Sequence, residues 1–283
     1  MVVSACADEL IDKVGIAPLG NTVRLQLNAA ANANYQLESV TGNLTHQWVS
    51  LMRFRGGDPN ARNWVDPMCG STEYRFFRLR RLLELPPAQV SNFRLLDPAG
   101  VAHELYYDTD AKGVVLLFAG TNYTSALPLI PELSAAAALG GSNLLTWIVV
   151  PSDVTQREEL AAFATNLPPN ISVLQDLTHA VTRTLSSGQT PEVVLVNTAD
   201  FSISYRGPVS QSVDTGVGVW QTHLLADAVT DLLAFRPATV SQFATAGVSP
   251  GLRPVHSTNY SDGIAPLLLK NCMPCHSPGN IAS

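Results

Sequence analysis

The sequence predicts an α/β layer sandwich as the main domain of this 283-residue chain. Segments with strand character alternate with segments of helical periodicity between residues 88 and 236. Two of the predicted strands, 113–118 and 144–150, consist almost entirely of apolar residues, as strands buried on both faces do. A hydrophobic fraction of 46% against a charged fraction of 14% supplies enough apolar side chains for a core. No apolar run approaches the roughly 20 residues that a membrane-spanning helix needs.

The first region, residues 1–87, is predicted to be a small β-rich domain. Strand-like pieces lie at residues 22–27, 35–40, 47–54 and 73–79, and stretches rich in Gly, Pro and Asp separate them. Pro86-Pro87 ends this pattern. The region offers no residue constellation with an evident chemistry.

The middle region, residues 88–236, supplies the layer sandwich. A strand and turn are predicted at 93–100, and further strands at 113–118, 144–150, 173–176, 193–197 and 203–206. Helices are predicted at 126–139, 155–166 and 221–235; in the last of them apolar residues fall on one stripe.

The remaining chain is predicted to hold a linker and a short helical segment. Residues 237–254 are rich in Ala, Thr, Ser, Pro and Gly, which is typical of a linker. A helix is predicted at 262–271, at the start of a third region that spans 255–283.

This third region contains Cys272-Met273-Pro274-Cys275-His276. The spacing C-x-x-C-H is the attachment signature of c-type haem, in which two thiols add to the porphyrin vinyl groups and the next imidazole reaches the iron. The sequence therefore predicts one haem c on Cys272 and Cys275, with His276 as the proximal iron ligand. A redox dithiol or half of a zinc site are the alternatives, but the chain has no second C-x-x-C pair to complete a zinc site.

A second iron ligand is harder to find in the sequence. No methionine follows His276, so a distal methionine cannot come from a downstream loop. His256 lies nearest in sequence and is the leading candidate distal ligand from this chain. The alternatives are His46, His103, His179 and His223, or a ligand from a partner chain. The short segment around the signature cannot enclose a porphyrin alone, so we expect other protein surface to pack against it.

Haem attachment of this kind takes place outside the cytoplasm, which predicts a periplasmic or cell-surface protein. In such a compartment the remaining cysteines, Cys6 and Cys69, are most simply a disulfide. Alternatively, Val3-Ser4-Ala5-Cys6 resembles the end of a bacterial lipoprotein signal, and Cys6 would then carry a lipid that anchors the protein to a membrane. The apolar stretch before it is far shorter than a signal peptide requires.

The middle region resembles thioredoxin-fold proteins of the redoxin or peroxiredoxin type across residues 90–236. Pieces that match in order are the strand at 114–118, the loop Gly120-Thr121-Asn122-Tyr123-Thr124 where redoxins carry Gly-Thr-x-Cys-Pro, Pro131-Glu132-Leu133, Thr190-Pro191-Glu192-Val193 and Tyr205-Arg206-Gly207. The resemblance implies a thioredoxin-like layer sandwich with a cis peptide bond before Pro191.

The same resemblance implies a site that has lost the thiol chemistry of redoxins. Tyr123 stands at the position of the reactive cysteine, and Thr124 replaces the proline that follows it. No cysteine lies between Cys69 and Cys272, and a phenol with a pKa near 10 cannot replace a thiolate nucleophile. We therefore expect Tyr123, Thr124 and Pro191 to mark a degenerate redoxin site without thiol peroxidase activity.

The order of redoxin, linker and the stretch 260–271 before C-x-x-C-H is similar to bacterial redoxin–cytochrome c fusions. It implies an extracytoplasmic c-type cytochrome subunit that relays electrons, with the redoxin-like domain as a scaffold or docking module and not as an enzyme. The alternative is a fragment of a redoxin–cytochrome–oxidoreductase fusion whose copper monooxygenase-like catalytic module is absent from this chain.

The net charge of the protein indicates which classes of binding partner to expect. The formal net charge of −6 argues against nucleic acid, because phosphate neutralisation needs a surplus of Lys and Arg. Other electron-transfer proteins or subunits of a larger complex are the expected partners. A local cluster of Arg75, Arg78, Arg80 and Arg81 is interpreted as a solvated strand face or as a docking surface for haem propionates or an acidic partner.

Overall fold

The computed structural model describes residues 13–31, 33–42, 47–57, 63–66, 74–82, 88–107, 110–121, 123–151, 157–186 and 188–252, and Leu268. The chain divides into two units, residues 1–252 and 253–283. All the helices and strands given below belong to the first unit. Except for Leu268, the predicted haem segment lies outside the described residues.

Six strands are described in the first region: β1 (Lys13–Leu19), β2 (Thr22–Asn28), β3 (Asn34–Thr41), β4 (Val49–Arg55), β5 (Asn63–Val65) and β6 (Arg75–Leu82). The prediction of a β-rich region is confirmed, and the structure adds β1 and β5 to the four predicted strands. β1 pairs along its whole length with β2 in a hairpin, and β2 pairs on its other side with β5.

The middle region alternates strands and helices, as predicted. Its elements are β7 (Arg94–Leu96), β8 (Ala102–Glu104), β9 (Gly113–Phe118), α1 (Ile130–Gly140), β10 (Leu144–Val150), α2 (Arg157–Ala164), β11 (Ile171–Gln175), α3 (Ala180–Leu185), β12 (Glu192–Asn197), β13 (Ile203–Gly207), β14 (Gln211–Asp214), β15 (Val219–Thr222) and α4 (Leu224–Leu233). A last strand, β16 (Val240–Phe243), follows α4.

Eleven of the described strands form one mixed sheet in the order β6-β3-β4-β16-β13-β12-β9-β10-β11-β7-β8. Strands β9, β10 and β11 run parallel to one another, whereas β12 is antiparallel to β9 and to β13. The parallel pair β9 and β10 is joined through α1, as a crossover connection requires. The result is a large α/β sheet with its central strands buried.

The two faces of β9 explain why its whole run is apolar. Val115 and Leu117 belong to a core cluster that also contains residues of α1, α2 and α4, while Val114 and Leu116 belong to a cluster that contains residues of α3. Successive side chains of a strand point to opposite faces. Helices therefore cover both faces of the sheet at this point, which is the predicted layer arrangement.

In the first region the same sheet packs on the small sheet β1-β2-β5. Leu25 and Trp64 of the small sheet share a core with Tyr35 and Phe54 of the large one, and the Tyr35 and Phe54 rings stack at 5.7 Å between centroids. The large sheet thus buries one face here, and its other face carries polar side chains.

Two predicted helices start later than the sequence suggests. The stretch Tyr123–Leu129 before α1 is a 3₁₀ turn, and Pro131 lies in the first turn of α1, where its missing N–H costs no hydrogen bond. Helix α4 begins at Leu224 because Gln221 and Thr222 pair with β14 in a hairpin. The predicted apolar stripe of α4 is confirmed, since its members are buried against the sheet.

The stretch 237–254, predicted as a linker, contains β16. This strand pairs antiparallel with β4 and parallel with β13, so it joins the strands of the first region to those of the middle region. Phe243 is buried in the core, which gives this short strand an apolar anchor that composition alone does not reveal.

None of the helices within the described ranges combines the length and the apolar character needed to span a membrane.

Candidate functional site

The predicted degenerate redoxin site lies where β9 ends and β12 begins. Because these strands are antiparallel, with Phe118 opposite Glu192, the loop 119–121 that leaves β9 meets the residues that enter β12. The peptide bond between Thr190 and Pro191 is cis, which confirms the prediction. Thr190 is 1% exposed, so its backbone is deeply seated in the fold.

Tyr123 opens the 3₁₀ turn that follows the loop, and Thr124 is the exposed residue after it. The Tyr123 ring is half-buried and packs against Phe163 of α2, with 4.9 Å between ring centroids and 37° between the planes. A redoxin nucleophile would instead be a thiolate. At the predicted position the fold therefore carries an aromatic packing residue.

A stretch of the chain's own backbone closes this site; residues 247–251 are called the covering segment here. Thr190 N–H donates to the Val248 carbonyl oxygen at 2.8 Å, and Val248 N–H donates back to the Thr190 oxygen at 3.0 Å. Thr121 N–H donates to the Pro250 oxygen at 3.2 Å. The backbone that precedes the cis proline is thus already paired.

The close approach of the covering segment and the loop 119–121 to Thr190 depends on two glycines. A Cβ atom at Gly247 would lie 2.6 Å from the Thr190 carbonyl oxygen, and one at Gly120, where φ is +72°, would lie 2.7 Å from the Thr190 hydroxyl oxygen. A side chain at Gly247 would therefore force the Thr190 backbone to shift, and one at Gly120 would displace the Thr190 side chain and strain the left-handed backbone at residue 120. A separate peptide or thiol substrate cannot hydrogen-bond to Thr190 while the covering segment occupies it.

A buried tyrosine on β13 feels the charges of two carboxylates. Tyr205 is fully buried, and its hydroxyl donates to the Pro208 carbonyl oxygen at 2.7 Å. Burial raises the pKa of Tyr205 well above its ordinary value, and the negative charges of Glu192 and Asp227 raise it further. The tyrosine therefore serves as a neutral hydrogen-bond donor within the core.

Tyr205→Phe is expected to reduce the loss of stability at alkaline pH. Unfolded tyrosine ionises near pH 10.0, whereas folded Tyr205 stays protonated, so its contribution is present below that pH and is lost as the pH rises above it. We expect the urea midpoint to fall less in the variant than in the wild type between about pH 8 and about pH 10.5. An equal fall in both proteins would contradict this prediction.

The other predicted site residues are Cys6, Cys69, His256, Cys272, Cys275 and His276, and all lie outside the described residues. The predicted disulfide or lipid attachment and the haem ligation therefore stay predictions. Sequence reasoning missed the covering segment. Its Gly-Val-Ser-Pro-Gly composition indicates a turn but does not identify its partners, Thr121 and Thr190.

No protein-family model and no curated protein matches the sequence. Solved structures do match: a hypothetical protein from Sinorhizobium meliloti is 17% identical, and an uncharacterized conserved protein from Geobacillus kaustophilus is 19% identical. Each has a TM-score of 0.50 and covers 62% of this chain, which corresponds to 98% and 100% of their own lengths. The exposed lipoprotein thioredoxin of Streptococcus pneumoniae is 19% identical over 42% of this chain and 89% of its own, with a TM-score of 0.36.

At these identities the comparisons bear on fold alone. The parallel unit β9-α1-β10, the antiparallel pair β12 and β13, the helix α4 and the cis proline before β12 occur in the order that the redoxin resemblance implies. The middle region therefore has the thioredoxin-like α/β fold that the resemblance implies.

Proposed function

We propose that this chain is an extracytoplasmic c-type cytochrome subunit that relays electrons through one covalently attached haem. The observation that carries the proposal is the C-x-x-C-H signature, in which Cys272 and Cys275 would hold the porphyrin and His276 the iron. Two thiols and an adjacent imidazole form the donor set that covalent haem attachment needs. The bound haem would supply one-electron chemistry.

The redoxin-type domain supports this proposal by lacking a competing redox group. Tyr123 replaces the reactive cysteine and packs against Phe163, and the sequence has no cysteine from residue 70 to residue 271. The covering segment also occupies the backbone N–H and carbonyl of Thr190, so these groups are already paired within the chain. The domain is therefore proposed to be a scaffold or docking module without thiol peroxidase or disulfide-exchange activity.

The proposal also assigns roles to residues near the two ends of the chain. His256 is the candidate distal ligand of the iron, and a second imidazole there would keep small ligands from binding the metal. Cys6 is proposed either to form a disulfide with Cys69 or to carry a lipid anchor, and both are typical of an extracytoplasmic protein. Partners would be other electron-transfer proteins or subunits of a larger complex.

The experiment is a pyridine haemochrome spectrum of the full chain, produced in cells that mature c-type cytochromes. We expect the spectrum of haem c in the wild type and its loss in the double variant Cys272→Ser, Cys275→Ser. Cys69→Ser is the matched control, because it also removes a thiol but leaves the signature intact; its haem content should equal that of the wild type. A wild type without haem, or one that binds zinc at these cysteines instead, would overturn the proposal.

A further inference from the structure

A large groove opens at the ends of β3, β4, β6, β13 and β16, and residues of both sheet faces line it. Its volume is about 1350 Å³. Its walls also include the loop around Lys112, the turn after β12 and the residues that follow α4. The groove lies within the first unit and is separate from the degenerate redoxin site.

Positive charge is concentrated in this groove although the protein as a whole is acidic. Among the described residues that line it, the cationic ones are Arg53, Arg55, Arg80, Arg81, Lys112, Arg206 and Arg236, and the one carboxylate is Asp110. Three of these cations also pair with carboxylates outside the lining: Arg80 with Glu38, Arg206 with Glu192 and Arg236 with Asp231. The chain has 17 Lys and Arg against 23 Asp and Glu, so these seven are a large share of all its cations. A charge distribution of this kind attracts an anionic partner and orients it.

The strand register sets three of these arginines in one row. Arg80 pairs with Gln36 on β3, Gln36 pairs with Arg53 on β4, and Gln242 of β16 links Arg53 to Arg206 on β13. Residues paired across neighbouring strands project from the same face. Since strands lie about 4.8 Å apart, arginines two strands apart are spaced by about 10 Å.

The protein's own groups hold these side chains in place. Arg53 Nε donates to the Gln36 side-chain oxygen at 2.8 Å, and Arg80 lies 3.3 Å from the buried carboxylate of Glu38. Arg206 donates to the Leu185 carbonyl oxygen and lies 3.7 Å from Glu192. A guanidinium has five N–H donors, so each of these contacts leaves donors for a further acceptor.

Of the four arginines clustered in the sequence, two do not belong to the groove. Arg75 is almost buried in an ion pair with Asp66, and Arg78 pairs with Glu38 while it lies over the Trp48 ring. Arg75 is therefore not part of a solvated face. Arg53 and Arg206 come from distant strands and complete the row instead.

We infer that this groove binds an extended acidic segment of a partner protein. Its volume exceeds the roughly 300–1,000 Å³ of small-molecule pockets, which favours a chain over a compact ligand. A chain in the extended polyproline II conformation has three residues per turn and rises about 3.1 Å per residue, so carboxylates at every third position lie on one side, about 9 Å apart, and match the arginine row. Ile203 and Phe235 in the wall add apolar contact area. The inference does not depend on the haem.

The test measures binding of a labelled 12-residue peptide to the full chain by fluorescence anisotropy. The first peptide carries Glu at every third position, and the second has the same composition with its Glu residues clustered. We expect the first to bind more tightly and to lose affinity as salt is raised. Arg53→Gln and Arg80→Gln should each weaken binding roughly fivefold, the upper range for a partly exposed ion pair.

Arg94→Gln is the matched control, because Arg94 is an exposed arginine on β7, near the opposite end of the sheet. The Arg94→Gln variant should bind the first peptide with the affinity of the wild type. All three variants should keep the wild-type unfolding midpoint. Equal binding of the two peptides, or no effect of the groove variants, would overturn the inference. So would tighter binding of single-stranded DNA of the same charge, which would show that the groove selects phosphates.

Discussion

Trp147→Ala is expected to lower the free energy of unfolding by about 3–5 kcal/mol. Trp147 is 2% exposed and lies on β10, where its register partners are Leu116 of β9 and Ser172 of β11. Its ring meets Phe93 edge to face at 6.3 Å between centroids and lies 5.8 Å from the His103 ring. Truncation removes this buried area and leaves a cavity between the sheet and the layer that covers it.

The measurement is urea unfolding followed by circular dichroism, since the substitution itself alters tryptophan fluorescence. Leu96→Ala on β7 is the control: Leu96 is 49% exposed, so its loss should change the free energy by no more than about 0.5 kcal/mol. A cost below about 1 kcal/mol for Trp147→Ala would show that this side of the sheet is not closely packed.

Asp231→Ala is expected to lower the free energy of unfolding by about 2–4 kcal/mol and to loosen β16. One carboxylate oxygen of Asp231 accepts hydrogen bonds from the backbone N–H and the hydroxyl of Thr239, both at 2.9 Å, and the other accepts from Arg236 at 2.7 Å. Asp231 is buried, so its removal leaves the Thr239 N–H without its acceptor. These bonds connect the end of α4 to the residue that precedes β16.

Hydrogen exchange of the Thr239 amide, together with the unfolding midpoint, measures this effect. Asp214→Ala is the control, because Asp214 is an exposed turn carboxylate that accepts one bond, from Gly216 N–H at 2.9 Å. The Asp214→Ala substitution should lower the free energy of unfolding by less than about 1.5 kcal/mol. If the Thr239 amide stays protected in Asp231→Ala, the carboxylate does not hold β16 in the sheet.

The elements that the sequence predicts well are those whose signal lies within their own residues. The apolar runs 113–118 and 144–150 match β9 and β10 to the residue, because strands buried on both faces need no partner to be recognised. The stripe of α4 is also correct, since helical periodicity is a local property.

The elements that the sequence misses depend on distant partners. β16 has four residues and is held by β4 and β13, which lie far from it in sequence. The hairpin of β14 and β15 carries no continuous apolar run and takes residues assigned to a helix. Pairing of this kind follows from the assembled sheet and not from local composition.

The candidate site shows the same difference between features with a local signal and features that depend on distant pairing. Motif order predicts the cis peptide bond before Pro191 correctly, because that signal lies in the residues that enter β12. The covering segment joins Val248 to Thr190, 58 residues away, and no local pattern indicates that pairing. The arginine row likewise unites β6, β4 and β13, and only the sheet register brings its members together.

The intact mass of the denatured chain tests most directly whether this protein is a c-type cytochrome. The full chain, made in cells competent for cytochrome c maturation, should carry the added mass of one haem that survives denaturation. Peptide mapping should place that haem on Cys272 and Cys275. A chain of unmodified polypeptide mass, with free thiols at both positions, would contradict the proposed function.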